Sequence, residues 1–290
     1  MKLAAFPKCF MDQLVLDRTM TIFEWIEMAA DLPVDGLEMY DGFLESLDEA
    51  YLSDVRSALR RRNFEMPMLC CSSDFTKTDA GERRREVEHQ KRMIDVTARL
   101  GGCFCRVLSG QRRPEVTRQQ GVAWVVECIR ALLDYAAERN VVLAMENHYK
   151  DNYWAHPEFA QRSDVFLEIA NRIDSPWFGV QYDPSNAILA GEDPIGLLER
   201  VKNRVVTMHA SDRYLQPGHT LEELRRVEES LGYAGILAHG VVGKGLNNYP
   251  RIFQILREVG YQGWISIEDG LNGLEEIKES ALFLRSMISA

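Results

Sequence analysis

Short runs rich in β-branched and aromatic residues alternate with longer amphipathic segments from one end of the chain to the other, the pattern of repeated βα units around a parallel sheet. Eight strands are expected at 2–6 (KLAAF), 35–40 (DGLEMY), 64–71 (FEMPMLCC), 103–108 (CFCRVL), 141–146 (VVLAME), 178–183 (FGVQYD), 204–209 (RVVTMH) and 263–268 (GWISIE). The helices between them should run over 19–30, 47–62, 81–100, 117–139, 163–173, 194–201, 249–259 and 274–287. Gly101 and Gly260 stand where left-handed C-caps are wanted.

Eight strands and eight helices close into a barrel or open into a doubly wound sheet. No G-x-G-x-x-G follows the first strand, and Gly243-Lys244-Gly245 comes too late in the chain, so a nucleotide-binding sheet is disfavoured. The expectation is an α/β (β/α)8 TIM barrel forming a single domain over residues 1–290. About 40 residues separate His209 from the next helix at Tyr249, a long insertion after strand 7 that includes a charged helical stretch, 220–231. It serves either as a lid or binding loop, or as a surface excursion or oligomer contact.

Strand ends come first when such a barrel is searched for chemistry, because catalytic groups collect at that face. Strands five to eight end in Glu146, Asp183, His209 and Glu268. Counting back by two reaches Ala144, Gln181, Thr207 and Ser266, small or polar residues suited to a crowded interior, while Met145, Met208, Ile265 and Ile267 suit the helix-covered face. All four candidates therefore point inward. Three converging carboxylates repel unless they share protons or a cation, so a divalent ion is expected there. Oxygen-rich ligation with one imidazole puts Mn2+ first, with Mg2+, Co2+ or Zn2+ as the other ions. The competing reading makes one of the four an ion-paired structural residue.

Other polar residues fall near the same mouth. His148 shares the face of Glu146 if the strand continues, which makes it either a general base or a partner behind the ligands. Lys8 and Glu38 are substrate contacts or an ion pair with each other. His239 and Lys244 reach the mouth from the long insertion or lie on the surface. Asp212 and Asp269 orient His209 or cap the following loops.

Composition narrows the partners. With 34 basic against 44 acidic residues the formal charge is -10, which repels a phosphate backbone, so no nucleic acid is expected. No stretch approaches the ~18 apolar residues of a membrane span and no signal peptide is evident, so no membrane is expected and the location is read as cytoplasmic. The six cysteines lie in strand-like runs without C-x-x-C spacing and are read as reduced core residues.

The segments MENH (145–148), QYDPSN (181–186), TMHASD (207–212) and SIED (266–269) resemble those of the xylose-isomerase-like barrel superfamily of sugar isomerases and epimerases. That superfamily also includes inosose dehydratase, dehydroshikimate dehydratase and endonuclease IV. The resemblance covers nearly the whole chain and is strongest from Val141 onward. It implies that Glu146, Asp183, His209 and Glu268 are the shared metal ligands and that Glu146 and Glu268 are an acid/base pair. Where many epimerases of the family carry a histidine, three residues after the strand-six aspartate, this chain has Asn186; Arg213 lies nearer to the strand-seven histidine than the usual sugar-binding arginine.

The resemblance implies a sugar or keto-sugar isomerase or epimerase that abstracts a proton next to a carbonyl through a metal-stabilised enediolate. The alternative is a metal-dependent lyase on a keto-sugar or cyclitol: a dehydratase, or the catalytic subunit of a C-glycoside deglycosidase acting on 3-keto-glycosides. The expected partner is a small carbohydrate, with a homo-oligomer possible and a small partner subunit implied by the deglycosidase reading. An abasic-site endonuclease needs three zinc ions and more than the six histidines present, and a pure sugar-binding module would not need the complete inward ligand set.

Overall fold

A computed structural model of the chain describes residues 1–151, 153–226 and 235–289. Its strands are β1 (Lys2–Ala5), β2 (Gly36–Leu37), β3 (Met39–Tyr40), β4 (Met68–Cys70), β5 (Phe104–Val107), β6 (Val142–Glu146), β7 (Phe178–Tyr182), β8 (Val205–Ala210), β9 (Asp212–Leu215), β10 (Leu237–Gly240) and β11 (Trp264–Ile267). Nine of them form one parallel sheet in the order β2-β1-β11-β8-β7-β6-β5-β4-β3. The two ends of that order are halves of one strand broken only at Glu38. β2 pairs with β1, β3 pairs with β4, and the Glu38 N–H donates to the Ala5 carbonyl at 3.0 Å. The sheet is thus an eight-staved TIM barrel, with all eight expected strands in place.

Each expected helix is present, most within a few residues of its anticipated ends, and several ends have visible causes. Asp79 accepts from the Glu82 N–H to start the helix Ala80–Leu100, which stops at Gly101 with φ +87°. Thr117 and Gln120 form a capping box at the start of Arg118–Glu138.

The fourth expected strand is shorter than read. Pro67 has no N–H to give to a ladder, so β4 begins at Met68, and the Pro67 carbonyl accepts from Cys103 and Phe104 instead. An unanticipated short helix, Pro184–Leu189, follows Asp183, which is its N-cap. Within the long insertion, β9 and β10 form a separate antiparallel hairpin. Of the charged stretch 220–231, Leu221–Arg226 is helical and residues 227–231 lie outside the described residues.

The alternation sorts the core as anticipated. Met145, Met208, Ile265 and Ile267 belong to the large cluster between sheet and helices, whereas Ala144 packs inside the barrel with Met68 and Cys70. Gln181, Thr207 and Ser266 are fully buried polar neighbours of that interior. The hydrophobic layer holds the staves rigid, and the polar interior above it positions the site.

Candidate active site

Glu146, Asp183, His209 and Glu268 converge at the C-terminal end of the barrel, each offering a ligand atom within 4.8 Å of the others. Asp183 is fixed by its capping role: its Oδ1 accepts from Ser185 N at 2.7 Å, Asn186 N at 3.0 Å and Ser211 Oγ at 2.9 Å. Asn147 straps β6 to β7 through the Asp183 backbone, accepting its N–H at 2.8 Å and donating to its carbonyl at 2.7 Å. Asn186 donates to Glu146 Oε1 at 3.1 Å and so touches the cluster directly.

His209 has its two nitrogens in different company. Nδ1 lies 3.2 Å from Glu146 and 3.3 Å from Glu268, while Nε2 lies 2.6 Å from Glu38 Oε1. A proton on Nε2, held by Glu38, leaves the Nδ1 lone pair toward the cluster, the usual way a carboxylate orients a metal-binding imidazole. Glu38, expected as a substrate contact, is therefore corrected: it is fully buried behind His209, with Cys70 Sγ donating to it at 3.1 Å. Cys70, Glu38 and His209 also offer ligand atoms near one another, but burial pushes the Cys70 thiol up, so it stays a hydrogen-bond donor.

Two cations balance the carboxylates. Arg106, at the centre of β5, donates to Glu146 Oε2 at 2.8 Å, both side chains being buried. Lys8, just after β1, pairs with Glu268 at 3.0 Å, so the alternative of an ion pair with Glu38 does not hold. Burial works against both carboxylates, yet His209 and Arg106 hold Glu146 down to about 2, and Lys8 with His209 holds Glu268 well below the usual range. Asp183 goes the other way. Burial, reinforced by Glu268 and Glu146, pushes it up to about 6.

Around the mouth, His148 is buried beside Tyr149, its Nδ1 3.5 Å from Glu158 Oε2, and it lines the same cleft as Lys8, Arg106, Tyr40 and Glu268. Glu158 also takes the Ser109 N–H at 2.7 Å. His239 is held by Asp269, Nδ1 to Oδ1 at 3.0 Å, and Arg213 stands opposite it in the hairpin. Of the two places open to Lys244, the mouth and the surface, it takes the surface, where it pairs with Glu279; as a substrate contact it is corrected. Asp212 caps that loop, accepting from Gly243 at 3.0 Å, Gly245 at 2.9 Å and Asn247 at 3.1 Å.

Three carboxylates and one imidazole fit a divalent cation, which would offset the burial and the neighbouring carboxylate charge that raise Asp183. Metal uptake should therefore weaken as the pH falls. The bound form needs Asp183 ionised and His209 Nδ1 unprotonated. Burial lowers the His209 pKa, but Glu38, Glu268 and Glu146 outweigh it and raise it well above the ordinary value. Each displaced proton should cost about tenfold in apparent affinity per pH unit, down through about 6 for Asp183. Calorimetric titrations at high and low pH check this; equal affinity on both sides of that range would refute it.

Residues 26–287 match the family model described as xylose isomerase-like TIM barrel. Among curated proteins, a 3-oxo-isoapionate decarboxylase from Pectobacterium atrosepticum is 26% identical over 181 residues, 62% of this chain and 56% of that one. An inosose dehydratase from Geobacillus thermodenitrificans is 21% identical over 159 residues, 54% of this chain and 49% of that one. The matches thus span about half the length of these relatives. Among solved structures, a D-psicose 3-epimerase with D-tagatose from Clostridium cellulolyticum superposes with a TM-score of 0.75 at 13% identity, covering 100% of this chain and 99% of that one. The IOLI protein with a binding zinc atom superposes with a TM-score of 0.74 at 16% identity, covering 99% and 96%.

Proposed function

The chain belongs to the xylose isomerase-like TIM-barrel family, and from that premise we propose that it is a divalent-metal-dependent isomerase or epimerase that removes and returns a proton next to the carbonyl of a sugar or keto-sugar. The convergence of Glu146, Asp183, His209 and Glu268 carries this reading. A divalent ion held by these four residues would polarise a substrate carbonyl and acidify the neighbouring C–H. We take Mn2+ as the first candidate, with the zinc atom of the IOLI structure favouring Zn2+ as the next.

The chain's own residues supply the proton handling. Glu146 and Glu268 end staves with two others between them, so their carboxylates meet the mouth from different directions. Arg106 and Lys8 keep both ionised at neutral pH, in the form that accepts a proton. Asn186 fixes the orientation of Glu146. The six cysteines, all free thiols, suit a reducing cytoplasmic setting.

A second reading, a lyase, is favoured by His148. Arg106 and Lys8 make the two glutamates weak bases, whereas the buried His148 has its proton affinity raised, against burial, by Glu146 and Glu158. A third acid/base group beside the mouth is what protonation of a leaving group needs, and two curated relatives are a dehydratase and a decarboxylase by name.

The test is incubation of metal-loaded protein with a panel of keto-sugars in deuterated water. Deuterium should enter the carbon next to the carbonyl, and Glu268→Gln should slow that entry by about a hundredfold or more. Exchange with a new stereoisomer supports the epimerase; exchange with loss of water or an aglycone supports the lyase. No exchange into any keto-sugar would remove both.

A further inference from the structure

We propose that the mouth holds a seat for an anionic substituent of the substrate, a carboxylate or a phosphate, built by Arg213 with Lys8 and His239 around it. This deepens the proposed function, since it rests on the mouth being a substrate site, and it narrows the substrate to an acidic or phosphorylated sugar.

Arg213 carries the argument. It is the second residue of β9 and only 4% exposed, yet its Nη1 is buried with no hydrogen-bond partner, and no carboxylate among the described residues comes within ion-pair distance. The other buried arginine of the site, Arg106, shows the contrast: its guanidinium is taken by Glu146 at 2.8 Å and by the Cys71 carbonyl at 3.3 Å. A guanidinium nitrogen removed from water without an acceptor is costly, and the planar fork that carries it matches a two-oxygen anion.

The surroundings point it at the mouth. Residues alternate along β9: Asp212 turns to the loop 243–247, and Arg213 faces the other way. His239 lies directly opposite in the antiparallel register and is tied to Asp269, the residue after Glu268. The Arg213 charge is felt at Lys8, which is itself already paired with Glu268. Asp269 feels the Arg213 charge but stands outside ion-pair distance, and its oxygens accept from the Asp212 N–H at 2.7 Å and meet His239 Nδ1 at 3.0 Å. Lys8 lines the cleft at the mouth, and Arg213 stands close enough behind it for the two charges to interact while having no ion-pair partner among the described residues.

The position is also preset. A Cβ at Gly245 would fall 2.3 Å from Asp212 Oδ1, so only glycine lets the loop close on the hairpin root.

Calorimetric titration of the full chain with D-glucuronate, D-glucose 6-phosphate and D-glucose tests the seat, in metal-free and metal-loaded protein. At least one anionic probe should bind tenfold or more tightly than D-glucose in both forms, and which anion wins identifies the group. Arg213→Gln should remove that advantage, Arg213→Lys should keep part of it, and Lys91→Gln on an outer helix should leave it intact. Equal binding or no binding of all three probes, or an advantage that survives Arg213→Gln in a folded variant, would overturn the proposal. Metal content measured on the same samples keeps the two readings apart: a protein that takes up no metal sinks the proposed function, whereas a flat comparison of probes in metal-replete protein sinks only the seat.

Discussion

Wild-type protein should hold about one divalent ion per chain, and Asp183→Asn should hold none while remaining folded. Asparagine keeps an acceptor oxygen where Oδ1 now receives the Ser185 and Asn186 N–H groups and the Ser211 hydroxyl, so the helix start survives and only the charge is lost. Turnover should fall by at least about a hundredfold, since a cation in a four-ligand site depends on each anionic donor. Elemental analysis of both proteins, with a thermal melt to establish folding, reads this out. A wild type that takes up none of Mn2+, Mg2+, Co2+ or Zn2+, or a variant that still binds metal, would dismantle the metal reading and leave only the barrel.

Arg106→Met should be among the most destabilising single changes in the chain. Arg106 and Glu146 are both buried at 2.8 Å separation, so removing the guanidinium strands a carboxylate in the barrel interior. Breaking one side of such a pair costs about 3–5 kcal/mol, a fall of roughly 10 °C in melting temperature for a domain of this size. Adding Glu146→Gln should restore much of that stability without restoring activity, because it removes the stranded charge together with a ligand. A melting shift under about 2 °C for the single variant would show that solvent or rearrangement compensates the carboxylate.

Arg106 also marks where reading from sequence stops. The barrel was legible because its staves are apolar runs bounded by helices with their own caps, and the four converging residues were legible because each closes such a run. Arg106 sits inside one, CFCRVL, and was passed over, although a charge on an inward-facing strand position requires a buried partner and Glu146 was the available one. Glu158 gave no signal, since it reaches His148 from an irregular loop with no periodicity to place it. The hairpin was missed because DRYL and LAHG lack a strand's apolar alternation and pair across an intervening helix. Glu38 was placed at the right strand but on the wrong side of His209, a difference of depth that spacing does not encode.

The barrel closes where β1 meets β11, and the Lys8–Glu268 pair spans 260 residues of chain. During synthesis Glu146, Asp183 and His209 emerge before the last stave exists, so a growing chain carries three donors without the fourth and without the partner that Lys8 will neutralise. Ring closure brings Glu268 and Lys8 together in one late, high-contact-order event. Cation capture at full affinity would then report that folding is complete, and a chain truncated before β11 would lose the ion and its final stave together.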